Sequence, residues 1–207
     1  MLNAVVVADT HGSLYRKDFQ SILRENVPEM IFCLGDIPYR DLEIIEDCLS
    51  EENMDIPVFA ILGNHDNLNL LNEVKEDFFK NLTNLDCKTV DINGYTIGGF
   101  SGSIKYKWEN SYCRRTQKEA LSLLKDMPKT DIFLCHSQPS FDKKVLKEDD
   151  ENGFSTNAHN GLYAIGEYVL NQNPRYVLHG HLHEDSVKKV GDTVIYGCYY
   201  LKFISLK

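Results

Sequence analysis

The sequence predicts an α/β protein in which two mixed sheets carry helices on their outer faces. Three observations point there. Short apolar, β-branched runs recur: AVVVA (4–8), MIFCLG (30–35), PVFAILG (57–63), TIGGF (96–100), DIFLCH (131–136) and RYVLHG (175–180). Amphipathic helical patterns lie between several of them, over 42–49, 68–82 and 116–127. The C-terminal part then turns to consecutive strand patterns. Strands alternating with helices indicate a sheet whose central strands are buried on both faces, so their apolar runs are continuous.

Taken in order, the run 4–8 sits in a start that is apolar but carries no basic residue and reaches Asp9 at once. It reads as a strand rather than a secretion signal. Asn93-Gly94 turns the chain between CKTVDI and YTIGGF, and Gly191-Asp192 makes a hairpin of SVKKV and TVIYG. LKFISL follows as a further strand. HNGLYAIGEYV, starting at His159, reads as a helix with Leu162, Ile165 and Val169 inward. Residues 137–160 are too long and irregular for a simple connection and form a candidate functional loop. With no repeat, low-complexity stretch or linker, the 207 residues suit a single domain, 1–207.

Composition narrows the function classes. Hydrophobic residues at 43% and charged residues at 26% are ordinary for a globular chain. A net charge of −9 disfavours binding along nucleic acid, because no basic stripe is available to displace counterions. No apolar stretch is long enough to span a membrane. Cys33, Cys48, Cys87, Cys113, Cys135 and Cys198 form no C-x-x-C pair and read as reduced thiols of a cytoplasmic protein. KYKWENSYCRR (105–115) interleaves basic and aromatic residues. It reads as a pocket lip, or as a homodimer contact centred on Trp108, before it reads as a nucleic-acid surface. The acidic run KEDDEN (147–152) reads as a solvated loop.

The chemistry gathers where the strands end. AVVVADTH delivers Asp9 and His11, FCLGD delivers Asp36, and AILGNHD delivers Asn64, His65 and Asp66. FLCH delivers His136, and LHGHLHED delivers His181 and His183. In α/β sheets the carboxyl edge of the strands is where ligands bind. Residues two apart in an extended segment point the same way, so His11 can join Asp9 and His183 can join His181. Asp9, His11, Asp36, Asn64, His136, His181 and His183 make seven mixed nitrogen and oxygen donors, too many for one four-coordinate zinc. They suit two ions sharing a carboxylate. With no cysteine in the set, manganese is expected, with iron or zinc as substitutes. Two divalent ions against two carboxylates leave local positive charge that would attract a phosphate, whatever the acidic surface.

In this order, DTH, GDIPYR, GNHD, CHSQP and GHLH resemble the signature of the calcineurin-like metallophosphoesterases, across residues 9–183. The resemblance implies a four-layer αββα sandwich, two mixed β-sheets flanked by helices, with a dinuclear metal site at one sheet edge. It assigns Asp9, His11 and His183 to one ion, Asn64, His136 and His181 to the other, and Asp36 to both. His179 matches no ligand position and is expected to pack or to orient a ligand. The implied activity is hydrolysis of a phosphodiester or phosphomonoester of a small phosphorylated substrate by a hydroxide that two metals activate.

His65 cannot easily reach the ion that its neighbour Asn64 binds. It is expected to act as general acid or as a hydrogen-bond donor to the phosphoryl group. Arg40 is expected to clamp the phosphate, the alternative being a buried ion pair with an adjacent Asp. His159 resembles a histidine that precedes the last helix near the active-site rim in small family members; it would contact substrate or cap that helix. The nearest rival is a protein Ser/Thr phosphatase of the same superfamily, which usually carries Asp and Glu where this chain has Tyr39 and Asp66. A non-catalytic binding scaffold with this fold, like the retromer subunit, would be expected to lose ligands or the His after Asn64; this chain keeps them all.

Overall fold

The computed structural model describes residues 1–106, 113–147, 155 and 157–207. Trp108, with its proposed dimer contact, and all but Lys147 of the acidic run 147–152 lie outside the described residues.

Strands β1 (Leu2–Ala8), β2 (Met30–Cys33), β3 (Val58–Ala60) and β4 (Leu82–Asn84) run parallel, and β13 (Tyr200–Leu206) pairs antiparallel with β1. The order is β13-β1-β2-β3-β4. In the second sheet β6 (Tyr95–Phe100), β9 (Ile132–Cys135), β10 (Tyr176–His179) and β12 (Thr193–Gly197) run parallel. The antiparallel strands β5 (Lys88–Ile92) and β11 (Ser186–Val190) form its edges, in the order β11-β12-β10-β9-β6-β5. A short parallel pair, β7 (Ser103–Ile104) with β8 (Arg114–Arg115), stands apart.

Alternation along each strand builds the layers. From β1, Leu2, Ala4, Val6 and Ala8 join Met30, Phe32, Phe59, Ile97, Leu134 and Leu178 between the two sheets. Val5 and Val7 face the other way, with Ile31 and Cys33, toward α1 (Arg16–Asn26), α2 (Tyr39–Glu51) and α3 (Leu70–Asp77). On the far side Phe133, Cys135, Val177 and Ile195 pack against α4 (Gln117–Leu124) and α5 (Tyr163–Gln172). The result is helices, sheet, sheet, helices, as expected. Leu162, Ile165 and Val169 are buried in the last of these cores. Both expected turns, at Asn93-Gly94 and Gly191-Asp192, close antiparallel pairs.

One detail differs from the sequence reading. The helix expected over 68–82 ends at Asp77, and Leu82–Asn84 becomes the edge strand β4. Val74, Phe79 and Leu82 all reach the same core, so apolar spacing alone could not mark where helix gave way to strand. The further strand expected at LKFISL forms as β13 and crosses to the first sheet, where Tyr200 pairs with Ala8 beside Asp9.

The loops after β2 and β3 cross so closely that both need glycine. A Cβ on Gly35, whose φ is +92°, would stand 2.2 Å from the Gly63 backbone nitrogen. A Cβ on Gly63 would stand 2.0 Å from Asp36 Oδ1. This explains the glycine that precedes Asp36 and the one that precedes Asn64. Gly35→Ala and Gly63→Ala are each expected to destabilise the protein by about 3 kcal/mol, at the upper end of overpacking costs. Urea unfolding measures it, and a wild-type midpoint in either variant contradicts the crossing.

Candidate metal centre

All seven expected ligands stand just past the C-terminal ends of β1, β2, β3, β9 and β10. The two sheets meet there: His136, after β9, places its Nδ1 2.8 Å from the Leu34 carbonyl beyond β2. Five of the seven, Asp9, His11, Asp36, His181 and His183, have positive φ, between 47° and 70°. Asp and His enter this region more readily than most side chains, but five at one edge is a concentration of strain of the kind found at functional sites.

Two donor groups form. Asp9, His11 and His183 converge, as do Asp9, Asp36 and His136, with ligand atoms within 4.8 Å of one another in each group. In the first, His183 Nε2 lies 3.7 Å from Asp9 Oδ1 and 3.2 Å from His11 Nε2, which is 3.7 Å from Asp36 Oδ2. In the second, His136 Nε2 lies 3.5 Å from Asp36 Oδ2, 4.0 Å from Asp9 Oδ1 and 3.0 Å from Asn64 Oδ1. His181 belongs to neither group, although its ring centroid is 5.1 Å from that of His136. Its backbone N–H donates to Asp9 Oδ2 at 2.8 Å.

These residues fit divalent cations. Asp9 Oδ1 is buried with no hydrogen-bond partner, a costly state for an isolated carboxylate oxygen. The Leu34 carbonyl can only accept, so His136 Nδ1 donates to it and Nε2 is the ring nitrogen turned toward Asp36, Asp9 and Asn64. The Asn64 Oδ1 faces this nitrogen while its Nδ2 donates to Tyr106 Oη at 3.2 Å. A ring nitrogen set among three oxygen donors is a group that a cation suits. By the same logic His181 Nε2 donates to the Ala158 carbonyl at 2.9 Å, leaving Nδ1 as its free donor atom. Such bonds from the second ring nitrogen are how proteins orient metal-binding imidazoles. Burial, reinforced by Asp36, raises the Asp9 carboxyl pKa against the pull of His136. Burial, followed by His136, brings His181 down to about 3, so it is a neutral imidazole.

The surrounding residues sort by contact. His65 is exposed, edge-on to the His11 ring at 5.4 Å, while its backbone N–H donates to Asp36 Oδ1 at 2.7 Å. Burial of part of the ring lowers its pKa. Arg40 is exposed on the first turn of α2 and makes no ion pair among the described residues, so the alternative of a buried pair is not what is found. His159 is exposed and edge-on to His181 at 5.1 Å. Leu162, not His159, caps α5. His179 is buried, bonds through Nδ1 to the Gly180 carbonyl at 3.0 Å, and lines a cleft of about 380 Å³ with Phe141 and Lys188.

Other residues take part to which the sequence reading assigns no role. Asp66 accepts from the backbone N–H groups of Asp36 (2.7 Å) and Gly63 (2.8 Å), clamping both glycine loops. Burial and then the neighbouring Asp36 push its carboxyl up to about 7. Its position in GNHD is the available signal. Buried Asp41 accepts from the Gly12 N–H at 3.0 Å and holds the loop after His11. Tyr106 belongs to the stretch 105–115 read as a pocket lip, and its contact with Asn64 puts it at the site.

The family model for calcineurin-like phosphoesterases matches residues 2–185. The chain therefore belongs to the calcineurin-like phosphoesterase family, and is a metal-dependent phosphoric ester hydrolase by that membership. No curated protein matches it by sequence. TT1561 of Thermus thermophilus is similar in structure, with a TM-score of 0.65 at 19% identity over 96% of this chain and 89% of that one. The phosphopantetheinyl hydrolase of Mycobacterium tuberculosis has a TM-score of 0.61 at 11% identity over the same shares. GAP50, the anchor in the inner membrane complex of Plasmodium, has 0.56 at 15% over 96% of this chain and 71% of that one. At these identities the likeness is one of fold.

Manganese at 100 times its dissociation constant is expected to raise the unfolding free energy by about 2.7 kcal/mol for each ion bound. Asp36→Asn should remove most of that gain. Denaturant melts with manganese and with a chelator measure both, and identical wild-type melts contradict the metal reading.

Proposed function

We propose that the protein hydrolyses a phosphodiester or phosphomonoester bond in a small phosphorylated substrate at a pair of divalent cations. The observation that carries this reading is the unpartnered, buried Asp9 Oδ1 among ring nitrogens of His11, His183 and His136. Asp9, His11 and His183 would hold one ion, Asn64, His136 and His181 the other, and Asp36 both. Manganese suits this nitrogen and oxygen set, and iron or zinc could replace it. When bound, the ions supply Lewis acidity: they lower the pKa of water to near neutrality and offset charge on the phosphoryl oxygens.

The chain's own residues do the rest. His65, at the mouth beside His11, donates an N–H to the phosphoryl or leaving-group oxygen. Arg40, exposed on the first turn of α2, offers its guanidinium to the phosphate. His159, edge-on to His181, borders the substrate on the opposite side. Asp66 and Asp41 contact no substrate: they keep the loops of Asp36 and His11 in place through backbone N–H groups. The six cysteines carry free thiols, five of them buried, which suits a reducing compartment such as the cytoplasm. Among the described residues no helix is long and apolar enough to cross a membrane.

p-Nitrophenyl phosphate and its bis-ester test this. The manganese-loaded protein is expected to turn over at least one, and preference for the bis-ester marks a diesterase. His65→Ala should lower kcat about 100-fold while both ions stay bound. Arg40→Ala should raise KM about 10-fold, the effect of losing one charge-assisted contact. Full metal loading with no turnover on these or on a broad phosphoester panel overturns the proposal, and moves the reading toward a non-catalytic module such as an anchor.

A further inference from the structure

The four imidazoles of the centre are not held alike. His136 and His181 are buried, and each gives its second ring nitrogen to a backbone carbonyl. The His11 and His183 side chains are 37% and 48% exposed, and neither Nδ1 has a hydrogen-bond partner among the described residues. Metal-binding histidines need something to fix the ring. For His183 a candidate is in contact: the Tyr199 ring lies 5.3 Å away, centroid to centroid, at an interplanar angle of 12°. Such an offset parallel stack is a favourable arrangement of two π-systems.

The backbone around Tyr199 is strained and braced. Tyr200 has φ +60°, an outlier for so bulky a side chain, which persists only where the surroundings over-determine it. They do so here. The Cys198 N–H donates to the His179 carbonyl at 2.8 Å, and the Tyr199 N–H donates to Asp185 Oδ1 at 3.1 Å. These two bonds bracket the loop that carries His181 and His183. Tyr200 Oη accepts from the Tyr15 N–H at 2.9 Å and reaches the Ser13 carbonyl at 3.3 Å, tying the same turn to the segment after His11. Tyr199 itself remains 42% exposed, so it was not placed there to fill a core.

We propose that Tyr199 is a positioning residue that holds the His183 ring for its ion, and that the strained Tyr200 is the brace that aims it. The proposal rests on the metal centre proposed above. Its test reads metal affinity rather than turnover: titration calorimetry of manganese into metal-free protein. Tyr199→Ala and Tyr199→Leu should each raise the dissociation constant of one of the two ions about 10-fold, the lower range for loss of a ligand-orienting partner. Tyr199→Phe, which keeps the ring, should bind as wild type. The melting temperature of the metal-free variants should stay at the wild-type value, which separates positioning from general destabilisation. Wild-type affinity in the Leu and Ala variants overturns this role and leaves the metal centre standing. Wild-type protein that binds no manganese overturns both.

Discussion

Two carboxylates, Asp9 and Asp36, are buried beside each other at the edge where the two sheets meet, and the rest of the site follows from that placement. Among the described residues no lysine or arginine pairs with them; their nearest side-chain partners are the imidazoles of His11, His136 and His183. In an interior that screens poorly, such a cluster is tolerable only with added positive charge or with protons taken up. Burial by itself raises the pKa of Asp9 and of Asp66. The proposed pair of cations would remove the conflict, and in doing so would place positive charge where a phosphate is proposed to bind. Electrostatic cost and catalytic capacity are therefore the same feature.

The scaffold supports this by rigidity at the loops. Parallel strands buried on both faces leave their carboxyl ends as fixed starting points, and very short turns then carry the ligands. Gly35 and Gly63 allow two such turns to cross at backbone contact, and Asp66 locks the crossing by accepting from both. Left-handed conformations at five ligands are the local consequence of reversing direction within one or two residues. The core between the sheets, with Val6, Phe32 and Leu134, supplies the stability that offsets this strain.

Much of this was legible in the sequence. The order of strand-ending Asp, Asn and His residues picked out the donors that gather at one edge, and the apolar runs located β1, β2, β3, β6, β9 and β10 to within a few residues. What escaped had physical reasons. The β4 edge strand followed a helix whose apolar spacing ran on into the same core, so no change of period announced it. The crossing of β13 to the first sheet is a tertiary choice that strand propensity does not encode. Tyr199 reaches His183 from a distant segment by a ring stack that no local pattern records, whereas Tyr106, which bonds Asn64, lay in the stretch read as a pocket lip. Asp66 was visible only as part of a motif; its task became clear when its carboxylate was found on two backbone N–H groups.

The central claim is that seven side chains gather two ions at this edge. Anomalous diffraction from crystals grown with manganese, collected across its absorption edge, tests it most directly. The account predicts two anomalous peaks, one among Asp9, His11 and His183 and one among Asn64, His136 and His181, with Asp36 reaching both. Manganese found elsewhere, or no peak at the strand ends in metal-saturated crystals, would contradict it.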